Sequence, residues 1–351
     1  MSFKNKIVVA IMLHSNYMLA CDFCGCYMGI TPYDNQSGMS VLYRYKSFSG
    51  YPDQGHKNYI FPSSRSYSSS SNNSFTSVNN SYSGYKHGTH TTVLGGDTMK
   101  FQRDYEIFTT AELRAKYFIH KRIELNGVVP FVMNSARQNE VKQKINGVGD
   151  ITLFAAYHLI SRIMTEKYQH RLIFGAGVKL PVGDYYQKDA DGNRIDFLLQ
   201  PGTGSVDYLA YVNYIFGYKK FGFNLNSTYK INGDNFYKER IGNSSTNYLN
   251  IFYKFRQEKD LKLFPSIQTY YEHTEGLYVF DKLQKATKME VFNAGIGLDV
   301  FYKNIALNMS FQLPVYEKRF ESNLQNTSKM MIGLTYNFNQ KKYLIKSKTQ
   351  E

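Results

Sequence analysis

The sequence has no tryptophan, only 8 prolines and only 3 cysteines. All three cysteines fall at Cys21, Cys24 and Cys26, so no disulfide framework can organise the rest of the chain. No apolar run approaches the ~20 residues that a membrane-spanning helix requires. Acidic residues are also short, 28 against 42 basic ones, which leaves a net charge of +14. In a soluble protein that balance would suggest nucleic acid. Here the basic residues are dispersed, with no nucleic-acid motif, so anionic lipid headgroups or anionic solutes are the more economical partners.

What is abundant is tyrosine (31) and phenylalanine (25), set among many Ser, Asn and Gly. These aromatics sit in short segments of strict alternation. In Met331–Phe338, Ile332, Leu334, Tyr336 and Phe338 share one face, and Met331, Gly333, Thr335 and Asn337 share the other. A period of two is that of a strand with unlike faces. Repeated along the chain, it predicts an all-β fold: a transmembrane, antiparallel, up-and-down β-barrel of about twelve strands, apolar toward lipid and polar toward the lumen. The expected strands lie near 39–48, 105–119, 122–133, 150–160, 171–180, 205–216, 221–231, 246–255, 261–272, 292–302, 305–313 and 330–338. Their connections alternate short and long, with 134–149 and 181–204 among the long ones. Short periplasmic turns and longer external loops require that pattern; a soluble Greek-key sandwich does not.

Around the barrel, expected at 38–338, the chain divides by composition. Residues 1–20 read as an export signal: Lys4 and Lys6, an apolar run Ile7–Leu13, and a cleavage point after Ala20. A short buried helix is the alternative. Residues 21–37 form a periplasmic cysteine-containing segment that could fold into the lumen as a plug. Residues 49–104 form a long external loop whose Ser/Asn/Tyr-rich part, 63–84, cannot build a core. Residues 339–351 are a basic tail. Export and a barrel together imply a Gram-negative outer membrane, a monomer and a small solute.

Several residues could carry chemistry. Cys21-x-x-Cys24-x-Cys26 offers three soft thiolates for Cu(I) or Zn, and a closed zinc site would need a fourth ligand. Two other readings stay open: acylation of Cys21 within Met18-Leu19-Ala20-Cys21, and a disulfide using two of the three. Asp189-x-Asp191-Gly192-Asn193 lacks the spacing of a calcium loop and reads as a polar turn. No nucleophile–base signature occurs, so no enzyme is expected. The remaining candidates face the lumen and could line a solute path: Arg44, Glu112, Arg114, Lys116, Asp150, His158, Lys179, Asp207 and Glu272. Both signs occur, so pairing across the lumen is expected, with a positive residue that favours anions. The competing reading is a barrel that transports nothing and anchors a periplasmic metal-binding or partner-binding segment.

Four phrases occur in a telling order: Gly147-Val148-Gly149-Asp150, Gly177–Tyr185 with the core Lys179-Leu180-Pro181-Val182-Gly183-Asp184, Gln200-Pro201-Gly202-Thr203-Gly204-Ser205-Val206-Asp207, and Gln312-Leu313-Pro314-Val315-Tyr316. Over roughly 147–338 the chain resembles the outer-membrane barrels named for phenol-degradation pathways and described as transporters. Cys21–Cys26 is similar to the N-termini of Bacteroidetes members. The resemblance implies an outer-membrane barrel and supplies no substrate. Read as residues alone, the phrases suit tight loop-to-strand entries and strand ends.

Overall fold

A computed structural model describes residues 36–49, 104–138, 141–165, 168–257, 260–318 and 324–338. The described chain runs β1 (Gly38–Ser49), β2 (Tyr105–His120), β3 (Ile123–Gln138), β4 (Val141–Val148), β5 (Ile151–Thr165), β6 (Tyr168–Leu180), β7 (Asp207–Tyr218) and β8 (Phe221–Asn232). It continues with β9 (Glu239–Ile241), β10 (Ser244–Tyr253), β11 (Arg256–Gln257), β12 (Leu261–Thr274), β13 (Leu277–Val279), β14 (Lys282–Gln284), β15 (Met289–Tyr302), β16 (Ile305–Lys318) and β17 (Asn326–Asn337). Twelve of these form a closed antiparallel ring: β1, β2, β3, β5, β6, β7, β8, β10, β12, β15, β16 and β17. Closure is made by β17 on β1 and by β12 on β10. A ring leaves no edge with bare N–H and C=O groups, which is the condition for a sheet to cross lipid.

The alternation read from sequence is the alternation observed, and it is inverted relative to a soluble protein. Val41, Leu113, Tyr117, Leu153, Ile267 and Ile296 are exposed on the outer wall, while Glu112, Asn224, Asn250, Gln268, Glu272 and Gln312 are buried inside. The end that carries Gly38 and Asn337 has the short connections, Lys121-Arg122, Lys219-Lys220 and Lys303-Asn304 among them. It is therefore the periplasmic end. At the opposite end, β9, β13 and β14 form a small three-stranded sheet from the 233–243 and 275–288 connections.

Two segments differ from expectation. Residues 134–149, expected as an external loop, instead continue the sheet: β3 runs on to Gln138 and pairs with β4. β4 and β5 together follow one line along β3, interrupted at Gly149-Asp150, where the register slips by one residue between Phe131↔Val148 and Val128↔Thr152. The upper hairpin turns Lys142 and Lys144 outward and buries Ala136 and Ile145 on its inner face, so the apolar-out alternation is lost. Strand β16 likewise does not stop at Pro314. A bulge, where Asn293 faces Pro314 and Phe292 faces Tyr316, absorbs the missing donor and the strand continues to Lys318.

Candidate functional site

Buried charge concentrates where the external ends of β5, β6, β7 and β8 adjoin. Lys179 of β6 faces Asp207 of β7 in register, Asp150 sits at the break before β5, and Lys230 stands on the inner face of β8. Lys179 Nζ lies 2.6 Å from Asp150 Oδ2 and 2.8 Å from Asp207 Oδ2, and Lys230 Nζ lies 2.8 Å from the same Asp207 oxygen. Thr203 donates from its N and from its Oγ1 to Asp150, each at 2.9 Å, and Ser205 Oγ donates to Asp207 at 2.8 Å. Lys179 is 3 % exposed, Lys230 2 % and Asp207 1 %. Two acids and two bases cancel in charge, and the hydroxyl and amide donors satisfy their remaining oxygens. Burial of such a group is tolerable only under those conditions.

The glycines of the family-like phrases have their explanation at the same place. Three backbone passes meet with no room for a side chain. A Cβ on Gly183 would lie 2.6 Å from Gly149 C and 2.8 Å from Asp150 N; one on Gly202 would lie 2.8 Å from Gly183 C. Gly183 N also donates to Asp150 Oδ1 at 3.1 Å. Residues from three separate phrases are thus one buried knot.

That knot holds both ends of the connection between β6 and β7. Between them the chain crosses the inner side of the external mouth. Ile195 and Leu199 pack on Ala136 and Ile145 of the β3–β4 hairpin, and Phe197 packs on Ile241 and Leu277 of the small sheet. Gln200 closes the loop on itself, accepting from Gln187 N at 2.9 Å and donating to Gln187 O at 3.0 Å and Ile195 O at 2.9 Å. Asn134 Nδ2 donates to Leu199 O at 2.9 Å from the barrel wall. Arg194 makes a bidentate pair with Glu239 at 2.7 and 2.8 Å, and its guanidinium lies 4.8 Å from the Tyr186 ring and 5.1 Å from the Tyr237 ring. Asp189 is a polar turn: its Oδ1 accepts from Asp191 N at 3.0 Å and Asn193 N at 2.8 Å, with Gly192 at φ +82°.

The nine lumen candidates separate into three groups. Asp150, Lys179 and Asp207 belong to the knot, which the sequence reading scattered; Lys230 completes it. Arg44, Glu112, Arg114 and Glu272 belong to an ion network on the inner wall. Glu112 pairs with Arg44 and, at 2.7 Å, with Arg114 Nε, while Lys46 Nζ reaches Glu272 at 3.3 Å. β1 and β12 are separated by β17, β16 and β15, so the Lys46–Glu272 pair spans the interior. Lys116 and His158 form the third group near the periplasmic end. His158 Nε2 lies 3.2 Å from Glu124 Oε2, and Lys116 stands 5.8 Å from the Phe118 ring. Below, Phe252, Phe264, Phe301 and Ala306 make an apolar inner cluster, with Phe252 and Phe264 stacked at 5.7 Å. Cys21, Cys24 and Cys26, the export signal, residues 21–35 of the plug segment and the 63–84 stretch lie outside the described residues.

Comparison with known proteins adds the following. A family model described as the MetA-pathway of phenol degradation matches residues 78–326. Among solved structures, an outer membrane channel from Pseudomonas putida F1 shares the fold at a TM-score of 0.60 with 15% identity, covering 90% of this chain and 98% of that one. The β domain of the Bordetella autotransporter BrkA matches at a TM-score of 0.44 with 9% identity, covering 86% of this chain and 100% of that one. No curated protein matches the sequence. The inverted burial and the closed ring place the chain in the outer membrane.

Proposed function

We propose, from the premise that the chain belongs to the family described as the MetA-pathway of phenol degradation, that this outer-membrane barrel is a gated channel for a small hydrophilic solute. One observation carries the reading. The interior is crossed by the Lys46–Glu272 contact, and the connection at the external mouth has both ends in the buried knot and its middle held by side chains: Arg194 on Glu239, Asn134 on Leu199 O, and Ile195, Phe197 and Leu199 in apolar contacts. Such contacts open without breaking one hydrogen bond of the strand ring, whereas a barrel serving only as an anchor needs no releasable cover. The channel-type fold also supports a non-enzymatic role. Arg44, Glu112, Arg114 and Glu272 then form the polar passage, and Asp150, Lys179 and Asp207 act on the cover.

The test is solute uptake by liposomes that contain the full-length protein. Swelling in small sugars or amino acids above that of protein-free vesicles supports the channel. Swelling equal to that of empty vesicles refutes it and leaves an anchor. Soft-metal handling by Cys21, Cys24 and Cys26 rests on the sequence pattern alone. Copper or zinc that copurifies with the protein and is lost in Cys24→Ser would support it; equal metal content in both would remove it.

A further inference from the structure

The charge of the barrel is unevenly distributed between its ends. On the external side acids and bases interleave, as in Lys188-Asp189, Asp191 with Arg194, and Asp234 with Lys238, Glu239 and Arg240. At the periplasmic rim the described turns carry Lys121-Arg122, Lys219-Lys220, Arg256 with Lys262, and Lys303, against the single acid Asp260. Three of these turns are neighbours. β8 pairs with β10, and Lys254 N donates to Lys220 O at 2.7 Å; Lys303 N donates to Asp260 O at 3.0 Å. The basic residues of these three turns therefore form a continuous arc.

Three of the basic groups stand beside a girdle aromatic. Lys219 Nζ lies 5.2 Å from the Tyr218 ring, Lys303 Nζ lies 5.2 Å from the Tyr302 ring, and Arg122 donates to Tyr157 Oη at 3.3 Å. Phe221, packed 5.0 Å from Tyr253, and Phe255 continue the apolar belt outward at 61 % and 67 % exposure. Aromatic girdles mark the depth of lipid headgroups, so these ammonium groups stand at phosphate level. Lys219 and Lys303 both adopt φ of +50°, a conformation that costs a lysine more than it costs asparagine or glycine. Lys238, in an external connection, also has a positive φ of +58°, so this conformation by itself does not mark the periplasmic rim.

We propose that this arc binds anionic phospholipid headgroups of the periplasmic leaflet, with Lys219, Lys220 and Lys303 on the phosphodiester oxygens and the neighbouring rings against the glycerol and upper acyl chain. The site depends on the barrel crossing the membrane and is independent of what the barrel conducts.

The test uses full-length protein in zwitterionic detergent, titrated with phosphatidylglycerol or phosphatidylcholine and read by native mass spectrometry. The wild type is expected to retain phosphatidylglycerol in clear preference to phosphatidylcholine. Lys219→Asn with Lys303→Asn removes two charges while suiting the positive φ, so the barrel should stay folded and heat-modifiable on gels. Phosphatidylglycerol affinity should fall roughly fivefold per lysine, about twenty-fivefold for the pair. Lys282→Gln with Lys285→Gln, at the external end, should leave it unchanged. Equal binding of the two lipids by the wild type, or undiminished preference in the Asn variant, overturns the proposal.

Discussion

Replacing Lys179 with methionine isolates the energetic role of the knot. The substitution keeps most of the side-chain volume and removes the cation 2.6 Å from Asp150 and 2.8 Å from Asp207. Asp207 retains Lys230 at 2.8 Å and Ser205 Oγ at 2.8 Å, so its charge stays compensated. Asp150 loses its cation and keeps three neutral donors, Gly183 N, Thr203 N and Thr203 Oγ1. Removing one partner of a buried pair costs about 3–5 kcal/mol, and those donors put this case near 3. The strand ring is untouched, so the loss should appear as local opening of the 181–206 connection rather than as global unfolding. Three kcal/mol corresponds to about a hundredfold faster amide hydrogen exchange there, with the β10–β12 ladder unchanged. Asp150→Asn combined with Lys179→Met removes both charges and should recover about 1–3 kcal/mol of that loss. Exchange as slow as in the wild type, or a double variant looser than the single one, would refute the reasoning.

Other substitutions probe neighbouring parts. Gly183→Ala inserts a methyl 2.6 Å from the Gly149 backbone, which cannot yield as a side chain can, so it should cost about 1–3 kcal/mol of thermal stability in detergent and open the same connection. Arg194→Lys gives up the bidentate Glu239 pair and the guanidinium's contacts with the stacked Tyr186 and Tyr237 rings; protease cleavage within 185–200 should accelerate while the barrel stays heat-modifiable. Phe264→Ala empties the centre of the periplasmic aromatic cluster and should lower stability by about 3–5 kcal/mol, checked by guanidinium unfolding.

The ring itself was legible because its chemistry is local. Lipid outside and polar side chains inside impose a period of two, so Ile332, Leu334 and Tyr336 mark one strand without reference to any other. The same rule fails at Val141–Val148, where the hairpin rises above the hydrocarbon and Lys142 and Lys144 replace apolar residues. It fails again at Pro314, where a bulge lets the strand continue past a residue that ordinarily ends one. The knot was legible only as parts. Asp150, Lys179 and Asp207 were recognisable as inward charges, and the glycine phrases as tight backbone. Their convergence depends on β5, β6, β7 and β8 being neighbours with their external ends level, which is a property of the closed ring. The chord from Lys46 to Glu272 is hidden for the same reason, since 226 residues separate its ends.

Planar-bilayer recording of single barrels, wild type beside Lys179→Met, probes the gate most directly. Freeing the covered mouth should give the variant larger or longer-lived current steps than the parent at the same voltage. Superimposable traces would mean that the 181–206 connection does not govern passage, and the account of a gated channel would be wrong.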